Sequence, residues 1–301
     1  MRFSYLPLFV IASAVLLYGA WVYPKGAVTP IGEEHFIQRG DTQIAWYGSG
    51  AGPRIVLLAS LGRSVSDFND LARQLNDAGF RTVAVESRGV RNSKLKAKSD
   101  LTLYALAKDV AAVLEADNLD KGDTVHVVGH AFGNRVARAF AHQYPDTVNK
   151  IVLVASGGAQ NLREMPDVLE ALTGSFKWWT PPPIRKSNVH FAFFADEHPV
   201  PPDWMRGWYI EAMKAQSRAV ALTPEAEWRA AGGHAPILVL QGGDDRVAPA
   251  ALTSESLRAD YPDRVSIKVI PNAGHALLPE APDDIANAII AFLSTQKAEP
   301  R

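Results

Sequence analysis

The run RIVLLA at 54–59 has no polar face and is too short for a buried helix. A segment of that kind is a strand covered on both sides, as in the interior of a parallel sheet. The chain repeats the device in RTVAVE (81–86), TVHVV (124–128), KIVLVA (150–155), PILVLQ (236–241) and RVSIKVI (264–270). Between these runs the apolar period changes. In 67–78 the apolar residues Phe68, Leu71 and Leu75 fall at helical spacing, and Gly79 marks the end. Further helices are expected at 101–117, 131–144, 250–260 and 282–296. Buried strands alternating with amphipathic helices specify an α/β architecture, a mostly parallel sheet flanked by helices on both faces. Ahead of the alternation, FIQRG and QIAWYG flank Asp41-Thr42 as a hairpin.

Residues 156–233 interrupt this rhythm with Trp178, Trp179, Pro181-Pro182-Pro183, Phe191, Phe193, Phe194, Trp204, Trp208, Tyr209 and Trp228. The segment is expected to be a helical insertion, a lid over 159–233, with about half of its aromatics facing the cleft beneath. The core is then split into 25–158 and 234–301. With 301 residues, 47% of them hydrophobic, the chain has ample material for such a core.

Phe3 to Tyr23 is uncharged and almost wholly apolar. As a helix rising ~1.5 Å per residue it would span roughly 30 Å, one bilayer core. Residues 1–24 are therefore a membrane anchor or a cleavable signal segment. The preferred reading is the anchor, since Ala12-Ser13-Ala14 lies inside the run and no convincing cleavage site follows it. A single Arg2 before the run places the soluble domain on the far side of the membrane, periplasmic or extracellular. Secretion after cleavage is the alternative. The net charge of −1 offers no footprint for nucleic acid, and the absence of cysteine removes disulfide and thiolate chemistry.

Three segments carry chemistry. Gly129-His130-Ala131-Phe132-Gly133 stands between a strand and a helix. Gln241 to Pro249, QGGDDRVAP, follows a later strand and offers Asp244 and Asp245. His275 sits in Pro271-Asn272-Ala273-Gly274-His275, before the last helix, with Glu280 five residues on. Together they resemble the α/β-hydrolase superfamily across ~35–296. Its nucleophile elbow reads G-x-S-x-G, and its triad runs nucleophile, acid, histidine along the chain. The resemblance implies that His275 is the general base, that Asp245 orients it, and that Asp244 caps or faces solvent. It also implies that the Phe132 N–H is an oxyanion donor at a helix start.

Two positions depart from the family pattern. Ala131 leaves the nucleophile position vacant. Ala59-Ser60-Leu61 stands where relatives commonly read His-Gly, which makes Ser60 and Leu61 the second oxyanion or substrate-binding segment. For Ser60 three roles stay open: a substitute nucleophile, a donor or substrate ligand, or a plain turn residue. Arg63 and Arg88 are read as loop-stabilising, and His126 and His130 as packing residues. No metal spacing or cofactor motif is present, so no metal and no cofactor are assigned. Removal of a serine nucleophile costs ~10⁶ in kcat, yet an oxyanion hole and binding alone retain ~10³–10⁴ over water. The resulting expectation is a hydrolase-like enzyme acting on a small apolar carbonyl or ester compound through a His–Asp dyad. A non-catalytic binding module and an esterase using Ser60 are the alternatives.

Overall fold

A computed structural model describes residues 28–96, 101–156, 162–177 and 179–295. Its strands are β1 (Glu33–Arg39), β2 (Thr42–Gly50), β3 (Arg54–Leu58), β4 (Arg81–Val85), β5 (Val125–His130), β6 (Val148–Val154), β7 (Ile237–Gly242) and β8 (Val265–Ile270). They form an 8-stranded sheet in the order β1-β2-β4-β3-β5-β6-β7-β8. β2 is antiparallel to both neighbours, and from β4 to β8 every pairing is parallel. The β1–β2 turn falls one residue earlier than the sequence pattern indicates. Arg39 pairs with Thr42, so Gly40 and Asp41 make the turn. Gly40 supplies the positive φ of +58° that this two-residue connection needs.

The helices α1 (Asn69–Asp77), α2 (Leu103–Ala116), α3 (Phe132–Gln143), α9 (Ser254–Asp260) and α10 (Pro282–Ser294) flank the sheet, and the five helices between α3 and α9 belong to the insertion. Strand periodicity explains why the runs are apolar throughout. Val56, Leu58 and Val127 pack with Leu106 and Val110 of α2 and Phe140 of α3. The alternate residues Ile55, Leu57 and Val128 pack on the other face with Leu75 of α1 and Ile285 and Ile289 of α10. Each such side chain contributes about 1.5–3 kcal/mol by leaving water. This is the α/β-hydrolase fold.

Between β6 and β7 the chain forms α4 (Pro166–Phe176), α5 (Pro182–Phe193), α6 (Pro202–Met205), α7 (Ile210–Ala221) and α8 (Glu225–Trp228). Pro166, Pro182 and Pro202 each open a helix, where the missing N–H has no intrahelical partner to lose. The expectation that half of the insertion's aromatics face the cleft is corrected. Of the described members of that set, only Phe193 and Trp208 line the cavity below. Phe194 and Trp204 join them in a compact aromatic cluster, Trp228 is buried against Arg138 of α3, and Trp179 is 59% exposed. The insertion has few large aliphatic residues, so its aromatics are spent on its own core. Trp178 and the segment 3–23 lie outside the described residues. Among the described residues, no helix is long and apolar enough to cross a membrane.

Candidate active site

Ala131 stands between β5 and α3 at φ +47° and ψ −105°, a backbone state that L-residues rarely occupy. Its N–H donates to the Val154 carbonyl at 2.9 Å, and its carbonyl accepts from the Asn134 N–H at 3.2 Å and from the Asn134 side-chain amide. The flanking glycines permit the turn by close approach. A Cβ on Gly129 would lie 2.5 Å from the Gly133 carbonyl, and one on Gly133 would lie 2.0 Å from the Leu58 oxygen. The elbow is therefore present in its backbone, with a methyl group at its apex.

Asp245 follows β7 in a turn that consumes all its acceptor capacity. Its Oδ1 accepts from the N–H groups of Val247 and Ala248 at 3.0 and 2.7 Å, as Asx turns do. Oδ2 accepts from Gln241 Nε2 at 2.8 Å and from His275 Nδ1 at 2.9 Å. Asp244 is exposed, as expected. With Nδ1 committed as donor, the lone pair of His275 is on Nε2, which makes no hydrogen bond to a described residue. The His275 loop is anchored from two further sides. Glu280 accepts from the N–H groups of Gly274 (2.9 Å) and Ala195 (2.8 Å), tying the loop to the insertion. Burial pushes the Glu280 carboxyl above its ordinary range despite those two donors.

His130 does more than pack. Its Nε2 lies 2.9 Å from the His275 carbonyl, so that nitrogen carries the proton and donates. Burial, with the nearby His275, pushes its pKa down to about 4 and keeps the ring neutral. His126 does pack: it lies edge-on to Phe80, and burial lowers its pKa to about 4.

The Ser60–Arg63 turn closes through the Arg63 N–H to the Ser60 carbonyl at 3.1 Å, with Gly62 at φ +64°. The insertion grips it. The Gly62 N–H donates to Gln216 of α7 at 2.7 Å, and the Gly62 carbonyl accepts from the Tyr209 N–H at 2.8 Å. Arg63 pairs with Asp67 at 2.6 Å, donates to the carbonyls of Asp203 and Arg206, and lies between Trp204 and Trp208. Arg88 is likewise held, by Asp109 at 2.7 Å. Both arginines are loop-stabilising, as the sequence indicates.

A cavity of about 150 Å³ brings Ser60, Leu61, Ala131, Phe132 and His275 together; Asp245 stands behind His275 rather than on the wall. The insertion roofs it with Leu172, Phe176, Phe193, Trp208 and Met213. Neither Leu61 nor Phe132 donates its N–H to a described residue, and Ser60 Oγ has no hydrogen-bond partner among them. Sequence reasoning missed Arg135, which also borders the cavity. Its signal was present: residue i+4 from the elbow lies on the same face of α3.

The chain is similar to known proteins. The family model described as serine aminopeptidase, S33, matches residues 52–282. The 2-hydroxy-6-oxo-6-phenylhexa-2,4-dienoate hydrolase of Burkholderia cepacia is 24% identical over 260 residues, covering 82% of this chain and 89% of that one. Lipase 1 of Psychrobacter immobilis is 26% identical over 275 residues, 86% of this chain and 83% of the lipase. A solved esterase from Exiguobacterium antarcticum superposes with a TM-score of 0.69 at 19% identity, covering 88% of this chain and 100% of the esterase.

Proposed function

This chain belongs to the serine aminopeptidase S33 family of the α/β-hydrolase superfamily, and from that premise we propose a hydrolase-like enzyme with no nucleophile at position 131. His275, oriented by Asp245, acts as general base on a small apolar carbonyl or ester compound. One observation carries the reading: His275 Nδ1 is bonded to Asp245 at 2.9 Å, while Nε2, beside the cavity, has no partner among the described residues. A pure binding module has no use for an imidazole oriented in this way. Water attacks the substrate carbonyl as its proton passes to Nε2. The carbonyl electrons move onto oxygen, which faces the N–H groups of Phe132 and Leu61. Collapse expels the leaving group, which takes the proton back from the imidazolium.

The relatives support a carbonyl substrate with a large apolar part. One hydrolyses a 6-oxo-6-phenyl compound and another is a lipase. Without a covalent step, turnover near the ~10³–10⁴ over water left to nucleophile-free hydrolase sites is expected. The test is hydrolysis of an ester panel by the full chain in detergent, alongside His275→Ala. Turnover that dies in the variant supports the dyad; no turnover in either protein means a binding module.

A second reading has its own observation, because Ser60 Oγ has no hydrogen-bond partner among the described residues and shares the cavity with His275. An organophosphonate adduct mapped to Ser60 in the unaltered protein would establish Ser60 as the nucleophile. In either case helices α4 to α8 act as the lid. The apolar run 3–23 supports anchorage of the protein in a membrane, with the catalytic domain periplasmic or extracellular. Membrane fractionation and N-terminal sequencing test this. A soluble product beginning near residue 21–28 would make the run a signal peptide.

A further inference from the structure

Arg135 lies four residues beyond Ala131 on α3 and borders the same cavity. It is half-buried, and no hydrogen bond or ion pair joins its guanidinium to a described residue. Two charged neighbours are engaged elsewhere. Arg138 lies over Trp228 and donates to Asn134 at 2.7 Å. Glu225, the carboxylate that acts on Arg135 through space, is bridged by Arg229 at 2.7 Å. Burial lowers the pKa of Arg135 from its ordinary value, yet a guanidinium remains charged at neutral pH.

The other described walls are mostly apolar; Ser60, His275 and the Trp208 indole, whose N–H is already given to the Trp204 carbonyl, are the further lining side chains with polar atoms. A helical side chain leans toward the turn preceding its own Cα, so Arg135 leans toward the elbow. A cation among mostly apolar walls with no partner among the described residues is disfavoured unless a ligand brings the counter-charge.

We propose that Arg135 is a substrate-binding residue that holds a carboxylate, so that the cavity takes a small apolar carboxylate monoanion. The inference rests on the reading of this cavity as the substrate site. The planar fork of a guanidinium matches a carboxylate with two parallel hydrogen bonds. The wall supplies one formal positive charge, which suits a monoanion over a phosphate dianion. A cavity of about 150 Å³ is of the size that admits benzene, so the enclosed part of the ligand is about one ring. The rise from Ala131 to Arg135 is roughly 6 Å, one helical turn. The carboxylate therefore sits at the far end of the molecule from the carbonyl that faces His275.

Titration calorimetry of the full chain in detergent with benzoate, benzamide and phenyl phosphate tests this without any need for turnover. Benzoate is expected to bind at least ~10-fold more tightly than its neutral isostere benzamide, the ordinary scale of a charge-assisted pair. In Arg135→Gln the ratio should fall to within about twofold, whereas Arg135→Lys, which keeps the charge, should retain part of it. His275→Ala should leave the ratio intact, which separates failure of this proposal from failure of the dyad mechanism. Equal affinity for benzoate and benzamide, or no benzoate binding at millimolar concentration, overturns the proposal. So does a preference that survives in Arg135→Gln. Phenyl phosphate binding ~10-fold more tightly than benzoate would overturn the carboxylate assignment.

Discussion

Ala131→Ser adds one oxygen atom at the apex of the elbow. Its position is set by the backbone, φ +47° and ψ −105°, and by contacts that involve no side chain at 131. The new hydroxyl enters the cavity that His275 borders, where Nε2 is an acceptor with no partner among the described residues. A complete serine nucleophile is worth ~10⁶ in kcat, or about 8 kcal/mol at ~1.4 kcal/mol per decade. Recovering a third of that, about 2.7 kcal/mol, gives ~10²-fold. Hydrolysis of p-nitrophenyl acetate by the variant is therefore expected to exceed that of the unaltered protein by at least ~10²-fold. An organophosphonate adduct should map to position 131 by mass spectrometry in the variant alone. Stability provides a second readout. A hydroxyl bonded to Nε2 is close to neutral, whereas an unsatisfied buried one costs ~1–3 kcal/mol, a loss of ~2–10 °C in Tm. A folded variant with less than about twofold gain and no adduct refutes the reasoning. The histidine or the oxyanion donors would then be out of reach of the elbow.

Glu86 is fully buried, and burial pushes its carboxyl up to about 7 although Ser64 Oγ and the Val65 N–H donate to it. A carboxyl whose folded pKa is raised contributes stability below about 4.5 and loses it as pH rises through about 7, on the order of 3 kcal/mol. Glu86→Gln should abolish that slope, so Tm should fall less between pH 5 and pH 8 than in the unaltered protein; identical slopes would exclude Glu86 as the source. Glu280→Ala leaves the N–H groups of Gly274 and Ala195 without their acceptor. A loss of ~2–5 kcal/mol in denaturant unfolding is expected, with a faster exchange of both amide protons that a merely packing residue would not produce.

The sheet was legible because buried parallel strands leave no choice of composition: both faces of β3, β5 and β7 meet helices, so each run is apolar without alternation. The elbow and the Asp245 turn were legible for a related reason. Glycine at 129 and 133 and an Asx carboxylate at 245 answer to local backbone demands, which sequence spacing records. Contacts made across long separations were not legible. Nothing in the spacing of Gln216 reveals that it accepts from Gly62, 154 residues earlier. The same holds for His130 holding the His275 carbonyl across 145 residues. The aromatics of the insertion were misjudged because composition does not say which side of a thin layer a ring faces, and a layer poor in aliphatic residues fills itself with rings.

Arg135 shows where the two kinds of information meet. Its helical phase with the elbow was readable, but only the packed structure shows that its neighbours have other partners. The vacancy at 131 then acquires a chemical meaning. The positive φ of Ala131 costs ~1–3 kcal/mol, and that strain is sustained by the Val154 carbonyl, Asn134 and the approach of Gly133 to Leu58. None of these contacts depends on a nucleophile, so its absence need not relax the elbow. The helix start at Phe132 keeps an N–H with no acceptor among the described residues, and Asp245 keeps His275 in one tautomer. What position 131 lacks is a single reacting oxygen, and with it a covalent intermediate at the elbow. On the proposed mechanism the site holds an anion, faces an oxyanion and carries a proton, which serves attack by water and not acyl transfer through the elbow.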